Sequence, residues 1–297
     1  MKFVLATAAY NEEKFIEKTI QSVVAQSLRP VKWVIVSDGS TDQTDEIVRS
    51  YAAQHDFISF YRIIEKHARN FGAQVQAINT GYEKLKDLDF DFFGNVDADV
   101  ALPPNYYASL AQRFDADPNL GLAGGFIHED YGEGFRSRPT NNTQSVAHAI
   151  QLFRKQCFAE IGGYIALPYG GPDWVAELMA RRLGWRVEAF SDLPVEHYRP
   201  SASAGGFIRG CYRQGRMDHS LGSLWLFEII KCLRRVKERP ILVGATARFL
   251  GFSYSHLIGA PRLIPPETVA YLRAEQGERL RALFRIPSAA ARGGGSQ

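Results

Sequence analysis

Asn95-Val96-Asp97-Ala98-Asp99 sets two carboxylates one residue apart at the end of the apolar run Phe90-Asp91-Phe92-Phe93. In a strand, residues i and i+2 point to the same face, so Asp97 and Asp99 can converge on one hard cation as the strand ends. A Mg²⁺ or Mn²⁺ ion held by so few protein oxygens shares its shell with substrate phosphates. The competing reading is a pair of solvated acids in a turn. The place of the pair in the chain decides between them.

The N-terminal half alternates strand and helix signals. Phe3-Val4-Leu5-Ala6-Thr7-Ala8 reads as a short buried strand, followed by a helical stripe of Ile16, Ile20 and Val23. Residues 31–37 form a second strand closing on Asp38-Gly39-Ser40-Thr41-Asp42, where a Ser, Thr or Asp caps a helix running through Tyr51. Residues 57–63 read as a third strand, and Asn70 opens a helix with the stripe Val75, Ile78, Tyr82 and Leu85. The strand ending at the acid pair is the fourth. Such alternation predicts an α/β fold with a mostly parallel central sheet flanked by helices. Ligands bind such sheets outside the carboxyl ends of the strands. Asp38, Asp97 and Asp99 all fall at that edge and are expected in one site.

No Gly-x-Gly-x-x-Gly follows the first strand and no Gly-x-x-x-x-Gly-Lys-Ser/Thr is present, so dinucleotide and P-loop chemistry lack their phosphate cradles. Thr7-Ala8-Ala9-Tyr10-Asn11-Glu12-Glu13, Ser22-Val23-Val24-Ala25-Gln26-Ser27 and Ser37-Asp38-Gly39-Ser40-Thr41-Asp42-Gln43-Thr44 resemble family 2 glycosyltransferases. Asn70-Phe71-Gly72 with Asn79-Thr80-Gly81, then Asp97-Ala98-Asp99, continue the match in the family's order, over about residues 3–200. The resemblance implies the GT-A fold, a nucleotide-diphosphate-sugar donor (a UDP-sugar favoured), a divalent metal and inversion at the anomeric carbon. Ser37 departs from the pattern, since many members carry an acid there, and Asp38 alone is left for the base and ribose.

The resemblance further implies donor contacts from Ala9, Asn11, Glu12, Asp38, Arg69, Asn70, Asp97, Ala98 and Asp99. Asp99 is the implied metal ligand, with Asp97 on ribose or in the metal shell. Asp38 has an alternative role as the acid of an Asp-Gly turn. Asp173, in Gly170-Gly171-Pro172-Asp173-Trp174, matches the place of the family's catalytic acid, with Pro172-Asp173 where Glu-Asp is usual. It would take the acceptor's proton; its alternative is a helix N-cap. His197 is a further metal ligand in some members, or a structural hydrogen bonder. Arg213, Gln214 and Arg216 resemble a basic element trailing the catalytic core, with guanidinium forks suited to diphosphate; a solvated helix face is the other reading.

Cys157, Cys211 and Cys232 are too few for a disulfide framework and unspaced for metal, which predicts a reducing compartment. The sequence enters its first strand within three residues, which reads as no signal peptide and a cytoplasmic enzyme, peripheral at the inner face of the cell membrane. Charge is asymmetric: residues 199–297 hold 16 Lys and Arg against 6 Asp and Glu, leaving 19 against 26 for residues 1–198. Leu221 to Leu233 and Ile241 to Ile264 are apolar but interrupted, too broken for a spanning helix. Lys231, Arg234, Arg235, Lys237 and Arg239 beside Trp225, Leu226, Phe227, Ile229 and Ile230 suit an interfacial helix on anionic lipid. A packing helix or an oligomer interface would also carry this pattern. Nucleic acid fits poorly, since no reading module accompanies the cations.

The expected organisation is a catalytic domain over 1–200, a basic helical extension over 201–288 and a flexible tail over 289–297. The expected function is metal-dependent inverting transfer of a sugar to a hydroxyl of a lipid-linked or cell-envelope glycan. The alternative is a nucleotide-sugar-binding protein without turnover, which would have no use for a base at Asp173.

Overall fold

The first apolar run becomes β1 (Phe3–Ala9), whose side chains are almost all buried because helices cover both faces of the sheet at this point. The computed structural model describes residues 1–64, 72–199, 206–238 and 240–283. β1 pairs in parallel with β2 (Lys32–Ser37) on one side and β4 (Phe92–Asn95) on the other, and β2 pairs in parallel with β3 (Ile58–Arg62). The connecting helices are α1 (Ile16–Val24), α2 (Thr44–Gln54) and α3 (Gly72–Glu83). The start expected for α3 at Asn70 lies outside the described residues.

α3 lies close on the sheet at Gly81. A Cβ there would stand 3.0 Å from the Ala6 Cβ and 3.3 Å from the Val36 Cγ2, so a larger residue would lift the helix. Thr7 ties the sheet centre to the acid-bearing segment: its hydroxyl donates to the Val96 carbonyl at 2.7 Å and accepts the Trp33 indole N–H at 2.9 Å.

Beyond β4 the chain adds β5 (Val100–Ala101), α4 (Tyr106–Ala116), β6 (Leu120–Asp130), β7 (Phe135–Ser137), β8 (Leu152–Arg154), α5 (Lys155–Glu160), α6 (Pro172–Arg182) and β9 (Arg186–His197). The sheet order is β3-β2-β1-β4-β8-β6-β9-β5, with β7 on β6. β1, β2, β3, β4, β6 and β9 run one way; β5, β7 and β8 run the other. The mostly parallel sheet expected from the sequence is therefore present, with antiparallel strands confined to its second half.

The chain divides into Met1–Ser201 and Ala202–Gln297. The second unit contains α7 (Phe207–Ser220), α8 (Trp225–Arg234), α9 (Val243–Leu257) and α10 (Pro266–Leu283). α7 and α9 meet backbone to backbone. A Cβ on Gly215 would stand 2.7 Å from the Phe252 nitrogen, and one on Gly251 2.9 Å from the Tyr212 carbonyl carbon.

Between these helices Arg248 is buried, donating to Glu228 Oε1 at 2.8 Å and Gln214 Oε1 at 2.7 Å, and to Asp218. Burial and the charge of Asp218 hold the Glu228 carboxyl above the usual range. Lys231, which the sequence places in a lipid-facing basic stripe, is instead drawn to Asp218 Oδ1 at 2.8 Å and Glu228 Oε2 at 3.4 Å. Its charge is spent inside the unit. Arg239 and the tail expected at 289–297 lie outside the described residues. No helix among the described residues is long and apolar enough to cross a membrane.

Candidate active site

A cavity of about 400 Å³ opens at the carboxyl ends of the parallel strands. β1 delivers Ala9 and, just beyond, Tyr10 and Glu12; β2 delivers Asp38; β4 delivers Asp97, Ala98 and Asp99. His197 and Arg199 line it from the end of β9, beside Asp99, and Ala73 and Gln74 come from α3. The expectation that Asp38, Asp97 and Asp99 share one site is met.

Each group is held by local chemistry. Asp38 donates its backbone N–H to the Ala9 carbonyl at 2.9 Å, and Gly39 turns the chain at φ +72°, where a side chain would be strained. Ser37, where the family pattern has an acid, is fully buried and closes this turn through its hydroxyl with Ser40, at 3.1 Å to the Ser40 Oγ. It serves the loop rather than a ligand.

Asn11 also serves the loop. It sits at φ +52° and its Oδ1 accepts the Thr41 N–H at 2.8 Å, a brace across 30 residues. Asx side chains tolerate this backbone region and make such local bonds.

The acids face amide, imidazole and guanidinium groups. Asp97 Oδ1 accepts from Gln74 Nε2 at 2.9 Å and lies 3.6 Å from His148 Nδ1. Antiparallel pairing of Val100 with His197 brings the β9 imidazole to Asp99, with Nε2 3.3 Å from Oδ1. The parallel register of Glu129 with His197 places a buried carboxylate behind that ring, Oε1 lying 3.8 Å from Nδ1. That carboxylate adds negative charge beside the imidazole.

Arg199 spans Glu12 and Asp99, hydrogen-bonded to the former and with Nε 3.5 Å from Asp99 Oδ2. Burial, and then the charge of Asp99, push the Glu12 carboxyl up to about 7 against the pull of Arg199. Burial works against charge on His197, but Asp99, Asp97 and Glu129 around it leave its pKa above the usual value.

A segment from Ser145 to Gln151 forms the wall behind the acid pair. Asn95 and Asp97 donate backbone N–H groups to the carbonyls of Gln151 (3.0 Å) and Ala149 (2.9 Å). At its other end Val146 N–H and Ser145 Oγ–H donate to Glu177 Oε1 of α6, at 2.7 and 3.1 Å. α6 also carries Asp173, half-buried in its first turn. The N-cap is Gly171 at φ 85°, not Asp173, so the capping alternative does not hold. Burial and the charge of Asp173 push the Glu177 carboxyl up to about 7.

Of the residues named from the sequence, Ala9, Glu12, Asp38, Asp97, Ala98, Asp99 and His197 line the cavity. Asp173 stands on α6, and Arg213 and Arg216 belong to α7 of the second unit. Arg69 and Asn70 lie outside the described residues. The sequence reading does not name Gln74, Glu129, His148 or Arg199, because each meets Asp97, Asp99 or His197 only through tertiary contacts distant in sequence. Among the described residues no group of three or more His, Cys, Asp or Glu side chains is placed to hold a metal ion by itself. Asp97 and Asp99 line the cavity as carboxylates, hard oxygen donors of the type that bind Mn²⁺ or Mg²⁺ together with phosphate oxygens.

The glycosyl transferase family 2 model matches residues 5–168. The poly-beta-1,6-N-acetyl-D-glucosamine synthase of Staphylococcus aureus (strain COL) is 30% identical over 118 residues, 40% of this chain and 26% of that protein. The Staphylococcus epidermidis synthase is 25% identical over 236 residues, 73% of this chain and 50% of the relative. The chain thus spans between a quarter and half the length of these curated relatives.

Among solved structures, GalNAc-T7 with UDP, GalNAc and Mn²⁺ superposes with a TM-score of 0.61 at 13% identity, over 97% of this chain and 58% of that one. Staphylococcus aureus TarS in complex with UDP-GlcNAc gives 0.55 at 16% identity, over 97% and 82%. The Pyrobaculum calidifontis mannosyltransferase PcManGT with GDP-Man and Mn²⁺ gives 0.54 at 17%, over 95% and 80%. These likenesses establish the GT-A fold. With the family model matched across the strands that build the cavity, the chain belongs to glycosyl transferase family 2.

Proposed function

We propose that this chain moves a sugar from a nucleotide-diphosphate-sugar to a hydroxyl of a lipid-linked or cell-envelope glycan, with inversion and with a divalent cation, Mn²⁺ or Mg²⁺. The observation that carries the reading is the convergence of Glu12, Asp38, Asp97, Asp99, His197 and Arg199 on one cavity at the strand ends. The nucleotide-sugars and Mn²⁺ held by solved structures of the same fold support it, as does the polysaccharide made by the named relatives. A uridine donor is favoured, since UDP recurs among them.

Asp38 accepts hydrogen bonds from the base or ribose. Asp97 and Asp99 would hold the cation together with the donor's phosphate oxygens, with His197 beside Asp99 as a further candidate ligand. Bound there, the cation supplies Lewis-acid charge to the departing diphosphate. Arg199 places a guanidinium at the same wall, where its planar fork suits phosphate oxygens. Asp173 takes the proton of the acceptor hydroxyl as that oxygen attacks the anomeric carbon. The bond to the diphosphate breaks on the opposite face, and its electron pair leaves with the nucleoside diphosphate. The basic excess of residues 199–297 fits an anionic membrane surface as the partner through which a lipid-linked acceptor is met.

Asp173→Asn tests the division of labour. Donor affinity, measured by calorimetry, should stay near native, while transfer falls by roughly two to four orders of magnitude, the range for a lost general base. Near-native transfer by this variant would remove Asp173 from the chemistry.

A further inference from the structure

Large apolar side chains that remain exposed are unevenly shared. Among the described residues six lie in the first unit and fifteen in the second. On α8, Trp225, Leu226, Ile229 and Leu233 fall at helical spacing on one exposed face, while Glu228 and Cys232 point inward. On α9 the exposed stripe runs through Leu250 to Leu257, which is 85% exposed, opposite the buried Arg248, Gly251, Phe252 and Ser255. The Trp225 ring joins the two faces, 6.0 Å from that of Phe249 and 4.8 Å from that of Phe252.

Charge on this surface is one-sided. Between residues 221 and 265 the acids are Glu228 and Glu238. Glu228 is fully buried against Arg248 and Lys231, and Glu238 lies beside Arg235 at 3.9 Å. Arg234 and Lys237 stand exposed at the end of the α8 stripe. A second copy of the same face offers these cations little counter-charge, since Glu228 is buried and Glu238 lies beside Arg235. Lipid phosphates complement them, and amphipathic Trp and Tyr rings such as Trp225 and Tyr254 favour the headgroup level.

We infer that the joined faces of α8 and α9 form the membrane-docking surface, lying in the plane of an anionic bilayer with Leu226, Leu233, Leu250 and Leu257 entering it. This deepens the proposed function by naming how the chain meets its lipid surface; it rests on that reading only for the acceptor. Apolar insertion, rather than the basic stripe alone, then supplies the binding, and Lys231 takes no part.

The test is co-sedimentation of the full chain with vesicles of phosphatidylcholine alone or mixed with phosphatidylglycerol. The mixed vesicles should bind about thirtyfold more tightly, for two cations near an anionic surface. Leu233→Gln with Leu257→Gln should weaken binding to the mixed vesicles by at least about tenfold, and Arg234→Gln with Lys237→Gln should erase the lipid preference. Circular dichroism and transfer to a soluble acceptor are read on the same samples, so a folded, active variant that no longer binds supports docking alone. No binding by the native chain at low salt, or no effect of the two leucine changes, overturns the inference. A native dimer that the leucine changes dissociate overturns it too, in favour of a self-interface.

Discussion

Replacing Glu177 with Gln tests how the wall behind the acid pair is held. The side chain is 1% exposed, and its Oε1 receives the Val146 N–H and the Ser145 hydroxyl. Burial first, and the charge of Asp173 second, push its carboxyl from the usual 4.5 up to about 7. Between those values the folded chain binds more protons than the unfolded chain, so stability is greatest below the window and falls as pH rises through it. At about 1.4 kcal/mol per unit, that shift corresponds to roughly 3 kcal/mol. Gln keeps an acceptor of the same size and has no proton to lose. Glu177→Gln should therefore match the native chain near pH 4.5 and exceed it by about 3 kcal/mol at pH 8. Urea unfolding followed by tryptophan fluorescence, at steps from pH 5 to pH 8, reads the difference. Equal stability at pH 8, or an advantage that grows toward acid, would refute the reasoning.

Asp99→Ala removes a carboxylate that both His197 and Arg199 face. It should abolish transfer and weaken nucleotide-diphosphate binding, each tenfold loss corresponding to about 1.4 kcal/mol; full activity in chelator would sink the metal-dependent reading. Arg248→Met leaves Glu228 and Asp218 buried without their main counter-charge. A loss of about 3–5 kcal/mol is expected, read as a lower thermal midpoint with the donor site unaffected in nucleotide titrations, and an unchanged midpoint would contradict it.

The parallel half of the sheet was legible because its strands are short apolar runs separated by helical stripes, and buried strands must be apolar on both faces. That topology was enough to place Asp38, Asp97 and Asp99 together. What the sequence hid was long-range pairing. β6 carries Gly124-Gly125, which locally resembles punctuation, yet it runs eleven residues. Its register with β9, and that of β9 with β5, brings Glu129 and His197 to Asp99. No periodicity reports such a register. His148 and Arg199 were hidden for the same reason.

The reading of Asp173 as a cap failed because Gly171, at positive φ, starts the helix one residue before Pro172. Lys231 read as a surface cation because its partners Asp218 and Glu228 come from two helices whose packing depends on Gly215 and Gly251.

The segment from Ser145 to Gln151 is anchored at one end to the backbone of Asn95 and Asp97 and at the other to Glu177, one turn along α6 from Asp173. Under the roles proposed for Asp97, Asp99 and Asp173, it is a strut between the donor-side acids and the acceptor-side base. Under the proposed chemistry, the gap across which the sugar jumps is then set by backbone hydrogen bonds, not by the reach of flexible side chains. Tolerance to sugars of different bulk has to come from the rim of the cavity, because the strut does not stretch. A residue added to it would leave every donor contact in place and push the acceptor oxygen out of line. Water, which needs no alignment, would take its place, and a transferase would become a hydrolase of its own donor.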